Sequence, residues 1–258
     1  MPVDPWNPVQ YQRFQQERAQ PFFDLVDLID TTPAPARVID LGCGTGELTA
    51  ELHGRLGARD TLGIDSSAAM LEQSRKHTAA GLRFEQRGID GEWGDDYDVI
   101  FSNAALQWLP DHARLLAQLC SRLAPAGQLA VQMPANMDHP SHALAHALAG
   151  EAPYRQALAG YVRERTVLAI DQYASLLQPL GFVRQHVRLQ VYGHLLSDTA
   201  EVVEWTRGTL LTDYQRRLPP ELFERFVAEY RRRLLAVLGD QRPYFYPFQR
   251  LLFWARVS

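Results

Sequence analysis

The sequence predicts an α/β fold built on a mostly parallel sheet, and three observations point to it. Between residues 36 and 133, short apolar runs of strand character alternate with segments of helix length, the rhythm of parallel strands joined by right-handed crossovers. The string Asp40-Leu41-Gly42-Cys43-Gly44-Thr45-Gly46 follows the first of these runs, Arg37-Val38-Ile39, and opens onto a helix-like segment near Glu47. Beyond Pro134 the alternation stops, and a long helical insertion precedes a last strand rich in aromatics.

Taken in order, Tyr11 to Asp30 reads as a helix, and Thr31-Thr32-Pro33-Ala34-Pro35 breaks it before the first strand. Strands are expected near 36–41, 60–65, 82–86, 97–102 and 127–133, with helices near 46–57, 67–78 and 111–123. Pro125-Ala126-Gly127 marks the turn into the fifth strand. Ser141 to Gly150 and Asp171 to Leu180 read as helices, and Val183 to Tyr192 alternates as a strand. Helical character returns from about Ser197 to Gly239, and Gln249 to Val257 reads as the final strand. The expected organisation is an N-terminal helical segment (1–35), a nucleotide-binding core (36–135) and a C-terminal part (136–258) carrying a helical cap at about 197–246. An insertion of that size can fold over the carboxyl ends of the strands, where ligands bind in open α/β sheets.

The 258 residues are 46% hydrophobic and 22% charged, with a net charge of −4, as in a water-soluble α/β protein. Arg231-Arg232-Arg233 lies in the amphipathic run Leu222-Phe223…Phe226-Val227…Tyr230…Leu234-Leu235 and reads as a solvated helix face. With no basic, aromatic-interleaved stripe, no nucleic-acid partner is expected. Cys43 and Cys120 form no framework of pairs, which suits a reducing, cytoplasmic setting. The first twenty residues hold no apolar signal core, and no membrane span is expected. His142 and His146 are four apart, but no Glu follows the first and no third ligand stands out, so no metal is expected.

The glycine string carries the chemistry. Glycines allow positive φ and let a ligand approach without meeting a Cβ, and the helix that follows offers N–H donors and a partial positive charge. Thr61-Leu62-Gly63-Ile64-Asp65 places a carboxylate at the end of the second strand, where it can accept from both hydroxyls of a ribose. Together these describe a nucleoside-cofactor site. The dinucleotide fingerprint G-x-G-x-x-G does not fit, because the third glycine comes one residue early and Glu47 follows it. A carboxylate there would repel a pyrophosphate, whereas a ligand with one carboxylate, one ammonium and one sulfonium tolerates it. D-x-G-x-G-x-G resembles motif I of the S-adenosylmethionine-dependent methyltransferases with a Rossmann-like fold.

Longer strings narrow the resemblance. They are Trp6-Asn7-Pro8-x-x-Tyr11-x-x-Phe14; Ser102-Asn103-Ala104-Ala105-Leu106-Gln107-Trp108-Leu109-Pro110-Asp111-His112; and Leu129-Ala130-Val131-Gln132-Met133-Pro134-Ala135-Asn136 with Pro140-Ser141-His142. Tyr192-x-His194, Glu204-Trp205-x-x-Gly208-Thr209-Leu210 and Tyr246-Pro247-x-x-Arg250-Leu251 complete the set. It resembles the trans-aconitate 2-methyltransferase family over essentially the whole chain.

The resemblance implies a seven-stranded sheet with an antiparallel last strand. It also implies methyl transfer from S-adenosylmethionine to a carboxylate of a small polycarboxylate, giving a monomethyl ester and S-adenosylhomocysteine. Carboxylic acids titrate near pH 4, so the acceptor is already ionised and no catalytic base is expected. Alignment and exclusion of water supply the rate. The implied cofactor residues are Asp40 and Gly42 for the methionine part, Gly44 and Gly46 where backbone approaches closely, and Asp65 for the ribose. Ser66, Met70 and Ile89 fall to the adenine side, Asn103 and Ala104 to the reacting methyl, and Tyr11 and Arg18 to closure over the cofactor. The implied substrate residues are Gln107, Trp108, His142, Tyr192, His194, Trp205 and Arg250, with Arg207 outside the shared pattern. The chain departs from the family where an acid normally precedes the isoleucine after the third strand, since Gly88 stands there and Asp90 follows Ile89. Methylation of a different small acid or hydroxyl, and a non-catalytic S-adenosylmethionine-binding module, remain open alternatives.

Overall fold

The computed structural model describes residues 15–161 and 163–258, with side chains from residue 19 onward. Helix α1 spans Gln15–Val26. The alternating core follows as β1 Arg37–Leu41, α2 Glu47–Leu56, β2 Asp60–Asp65, α3 Ala68–Ser74, β3 Leu82–Gln86, β4 Tyr97–Asn103, α4 His112–Cys120 and β5 Leu123–Pro134. Then come α5 Pro140–Ala149, α6 Tyr154–Ala157, α7 Ile170–Leu177, β6 Phe182–Leu196, α8 Glu201–Arg207, α9 Thr212–Arg217, α10 Pro220–Leu238 and β7 Tyr244–Val257.

The seven strands form one sheet in the order β3-β2-β1-β4-β5-β7-β6. The β1–β2, β1–β4, β2–β3 and β4–β5 pairs are parallel, and β7 joins β5 antiparallel. Strand order reverses between β1 and β4, so the loops after these neighbours open a crevice at their carboxyl ends, the ordinary ligand position in such sheets. The fold class and the antiparallel last strand read from sequence are therefore present.

Three strands run longer than their sequence signals, and β6 is one of them, spanning Phe182–Leu196 where Val183 to Tyr192 was expected. Strand β5 begins at Leu123, ahead of Pro125-Ala126-Gly127, because the register slips there: Tyr97 faces Leu123 while Val99 faces Gln128. Ala126 takes φ 59° at this irregularity, and proline is tolerated in sheets at such bulges. Strand β7 starts at Tyr244 rather than Gln249, since Tyr244, Tyr246 and Phe248 are buried at alternate positions and carry the strand's period of two.

The described residues divide into two compact units. One comprises Gln16–Ala135, Thr166–Gln190 and Gln249–Ser258. Its core is built from the sheet faces, among them Ile39, Ile64, Ile100, Val131 and Phe253. Helix α4 packs on it through His112, Leu115, Leu116 and Leu119, the 3.6-residue stripe of an amphipathic helix. Asp111 starts that helix by accepting from the Arg114 amide at 3.1 Å. The other unit comprises Asn136–Arg165 and Val191–Phe248, with a core of Trp205, Phe223, Phe226, Tyr230 and Tyr246 among others. The arginine run of α10 is surface, as expected. Arg232 and Arg233 both pair with Glu229, and Arg233 also takes both carboxylate oxygens of Glu151 at 2.6 and 2.7 Å.

Candidate active site

The glycine loop is pinned to the end of β2. The amides of Gly42 and Cys43 both donate to the Ile64 carbonyl, at 2.8 and 2.9 Å. A Cβ on Gly42 would fall 2.3 Å from the Ala105 methyl, and one on Gly46 would meet Ser74 and the Phe84 ring at 2.7–2.8 Å. These two glycines are demanded by packing. Gly44 differs: it takes φ +55° and a Cβ there would meet nothing within 4 Å. The loop thus presents bare backbone to open space at its middle glycine, which is the cradle a closely approaching ligand needs. Helix α2 follows with Gly46 at its N-cap and no side-chain cap.

Asp65 joins the loops after β1 and β2. Its Oδ2 accepts from the Gly44 amide at 2.9 Å and its Oδ1 from the Ser67 amide at 2.8 Å. These are two of the roughly four hydrogen bonds a carboxylate can accept. Ser67 in turn caps α3, accepting from the Met70 amide at 3.2 Å. Asp40 is buried on β1 and accepts from the Thr49 hydroxyl at 2.6 Å. Burial, with Asp65 nearby, lifts its pKa from 3.8 to about 7 despite that bond. Burial also pushes the Cys43 thiol well above its ordinary range, so it is unreactive at neutral pH.

Around the adenine-side expectations, Met70 is buried, Ser66 is exposed and Ile89 is half-buried with its Cδ1 3.9 Å from the Gly42 Cβ position. A Cβ at Gly88 would lie 2.6 Å from Asp90 Oδ1. The Asp90 carboxylate therefore occupies the volume that a side chain at 88 would fill.

At the end of β4, Ala104 takes φ 55°, a left-handed conformation uncommon for a non-glycine residue, and its amide donates to the Gln132 carbonyl at 2.9 Å. The turn Leu106–Trp108 is held from α4. Buried His112 donates from Nε2 to the Leu106 carbonyl at 3.0 Å and accepts at Nδ1 from the Tyr173 hydroxyl. Burial lowers the His112 pKa, keeping the ring neutral for this arrangement. Gln107 donates to the Ala104 carbonyl at 2.7 Å, while Trp108 is half-buried. Arg250, paired with Pro134 in the β5–β7 ladder, is buried. Its Nη1 donates to Gln132 Oε1 at 3.1 Å, and Gln132 Nε2 donates to Asn103 Oδ1 at 2.5 Å.

The other unit gathers several of the remaining expected residues around Phe248. His142, His194, Trp205 and Tyr246 all place their rings within 6.3 Å of it, with His194 over Trp205 at 4.7 Å. Tyr192 is buried on the strand that carries His194. Burial drops the His142 pKa to about 3, so it offers no positive charge at neutral pH. Ser141 Oγ lies 3.0 Å from His142 Nδ1 and 2.9 Å from the Tyr246 hydroxyl. Arg207 pairs with Glu224 at 2.6 Å.

Structure thus brings together Asp40, Gly42, Gly44, Gly46, Asp65, Asn103, Ala104, Gln107 and Arg250 in one unit, and His142, Tyr192, His194 and Trp205 in the other. Tyr11 lies outside the described residues, and of Arg18 only the backbone, within α1, is described. Gln132, His112 and Phe248 were not singled out from sequence. The available signal for Gln132 was a polar residue inside the apolar run Leu129-Ala130-Val131-Gln132-Met133. Among the described residues, no group of three or more His, Cys, Asp or Glu could hold a metal ion, and no helix is long and apolar enough to cross a membrane.

Known proteins resemble this chain at two levels. The sequence profile described as "Methyltransferase domain" matches residues 11–187. A trans-aconitate 2-methyltransferase of Deinococcus radiodurans is 46% identical over 256 residues, covering 97% of each chain. One of Variovorax paradoxus is 41% identical over 232 residues, covering 89% of this chain and 88% of its own. Among solved structures, the YcgJ protein from Bacillus subtilis superposes with TM-score 0.59 at 12% identity, covering 93% of this chain and 98% of its own. Phosphoethanolamine N-methyltransferase 2 of Haemonchus contortus, solved with S-adenosyl-L-methionine, gives 0.54 at 15% identity, covering 93% of this chain and 52% of its own. At such identities these two structures speak to the fold alone.

Proposed function

The chain belongs to the trans-aconitate 2-methyltransferase family, and from that premise we propose that it methylates a carboxylate of trans-aconitate at the expense of S-adenosylmethionine. The observation that carries the acid acceptor is Arg250, a buried guanidinium joined through Gln132 to Asn103 at the carboxyl end of β4. A protein of net charge −4 that binds a tricarboxylate needs such a local cation, and arginine's planar fork matches a carboxylate in two hydrogen bonds.

The residues fit S-adenosylmethionine on the evidence of the loop: bare backbone at Gly44 and a carboxylate anchored beside it. When bound, the cofactor supplies a methyl made electrophilic by its sulfonium. Asp65 holds the ribose hydroxyls, and its anchoring by two backbone amides fixes both oxygens in advance. Asp40 and Gly42 line the methionine part, together with the backbone of Asn103 and Ala104. Ser66, Met70 and Ile89 take the adenine, and Asp90 accepts from its amino group in place of a side chain at 88.

On the acceptor side, Arg250 orients a carboxylate, Gln107 and Trp108 shape the surface after β4, and His142, Tyr192, His194 and Trp205 complete the substrate set. No residue is assigned as a base, because an ionised carboxylate carries its own lone pair and transfers no proton. Catalysis is then positioning and exclusion of water. Two free cysteines, Cys43 and Cys120, support a reducing, cytoplasmic setting as part of this reading.

Incubation with methyl-labelled S-adenosylmethionine and trans-aconitate should yield a base-labile methyl ester and S-adenosylhomocysteine. Absence of label in the acid, with turnover on another acid or on a hydroxyl, would sink the choice of acceptor.

A further inference from the structure

Arginine carries only N–H donors. The contact between Arg250 Nη1 and the Gln132 side chain at 3.1 Å therefore fixes the glutamine amide, with its oxygen toward Arg250. Its Nε2 is then committed to the neighbour on the other side, Asn103, which must answer with Oδ1, at 2.5 Å. Asn103 has its oxygen spent on Gln132, so its remaining polar edge is the Nδ2 donor. Gln132 is fully buried in the middle strand of the β4–β5–β7 triplet, with Asn103 opposite it on β4 and Arg250 on β7 two residues from its partner Leu252. The three side chains form one hydrogen-bond chain whose direction is set at the arginine.

We propose that Gln132 is a positioning residue for the acceptor acid. It holds Arg250 and forces Asn103 to present N–H rather than C=O, so that an anionic acceptor meets donors from two strands. This rests on the reading of the site as one that methylates a carboxylate. Gln132 touches no reacting atom. It acts through its two neighbours, and the property it confers is selection for a negatively charged acceptor.

The test turns on two substitutions with opposite consequences. Gln132→Glu is close to isosteric and pairs with Arg250, but an ionised glutamate cannot donate to Asn103. The asparagine amide then reverses, turning Oδ1 toward the acid, and the Arg250 charge is neutralised. Gln132→Met removes both hydrogen bonds at similar volume, leaving Asn103 undirected and Arg250 without this acceptor but still charged. The acid KM should rise at least tenfold in Q132E and by a smaller factor in Q132M, while the S-adenosylmethionine Kd stays within threefold of wild type in both. A purely structural role gives the reverse order, because Q132E keeps this acceptor for Arg250 and Q132M removes it. An acid KM in Q132E within twofold of wild type, or a larger rise in Q132M, overturns the proposal. Wild-type turnover measured alongside separates the two ideas: a wild-type enzyme inactive on every acid removes the carboxylate reading and this inference with it, whereas an active wild type with the reversed order removes the inference alone.

Discussion

Asp40 shows how a single residue sets stability against binding. It is buried beside Asp65, and its pKa rises from 3.8 to about 7. The folded state thus holds a proton that the unfolded chain has released over that interval, so the stability contributed by the protonated form declines as pH rises from about 4 through 7. Asp40→Asn keeps an oxygen for Thr49 and removes the buried charge. In chemical denaturation it should match wild type near pH 4–5 and exceed it at pH 8, by a few kcal/mol at most. The same variant should bind S-adenosylmethionine more weakly, because the carboxylate proposed to line the methionine part is gone. Equal stability of the two proteins at pH 8 would mean that Asp40 is ionised and comfortable in the fold.

At the scale of an element, the β1–α2 loop separates glycines demanded by packing from the one that faces open space and is proposed to meet the ligand. Gly42→Ala drives a methyl to 2.3 Å from Ala105 and should cost stability, at least 2 kcal/mol as overpacking on a strained backbone. Gly44→Ala meets no atom within 4 Å, so its stability cost is the left-handed backbone alone, about 1–2 kcal/mol. Its loss in S-adenosylmethionine affinity should be larger than that of most surface changes. Thermal denaturation and calorimetric titration of both variants check this, and a G44A protein that binds normally would show that nothing approaches the loop there. Alternation of strand and helix was legible from residues 36 to 133 because both signals are local: β1, β2 and β4 are nearly continuous buried apolar runs, and the helices between them carry one apolar stripe. The bulge in β5 was not, since it comes from pairing with β4: Pro125-Ala126-Gly127 has a turn's composition and becomes strand only against Tyr97 and Val99. His112 was read as part of a string, and only α7 shows its use, through Tyr173 clamping the ring that holds Leu106.

For the whole molecule, ligand binding couples to folding by mass action. S-adenosylmethionine at 100 times its Kd should raise stability by about 2.7 kcal/mol, roughly 5–10 °C in melting temperature for a chain of this size. Asp65→Ala removes a charged acceptor worth about 1.5–3 kcal/mol. At the same ligand concentration it should lose most of that shift. A full shift in D65A would take Asp65 out of the cofactor site. The two cores also divide the expected site residues: the loops after β1, β2 and β4 with Arg250 in one unit, the rings around Phe248 in the other. Sequence strings placed these residues on elements, but their partners are hundreds of ångströms of extended chain apart, as with Gln132 and Arg250.

The sequence by itself determined the cofactor class and the fold that holds it. Glycine register, the acid ending β2 and the strand–helix period are local properties, carried by backbone conformation and by apolar runs and stripes within a few residues. Tertiary structure decided which glycine faces open space, that Asp40 is buried enough to titrate near neutrality, and that Gln132 directs both Asn103 and Arg250. Each of these depends on side chains from separate strands meeting in a desolvated interior, where hydrogen-bond direction and charge acquire consequences that no single segment contains.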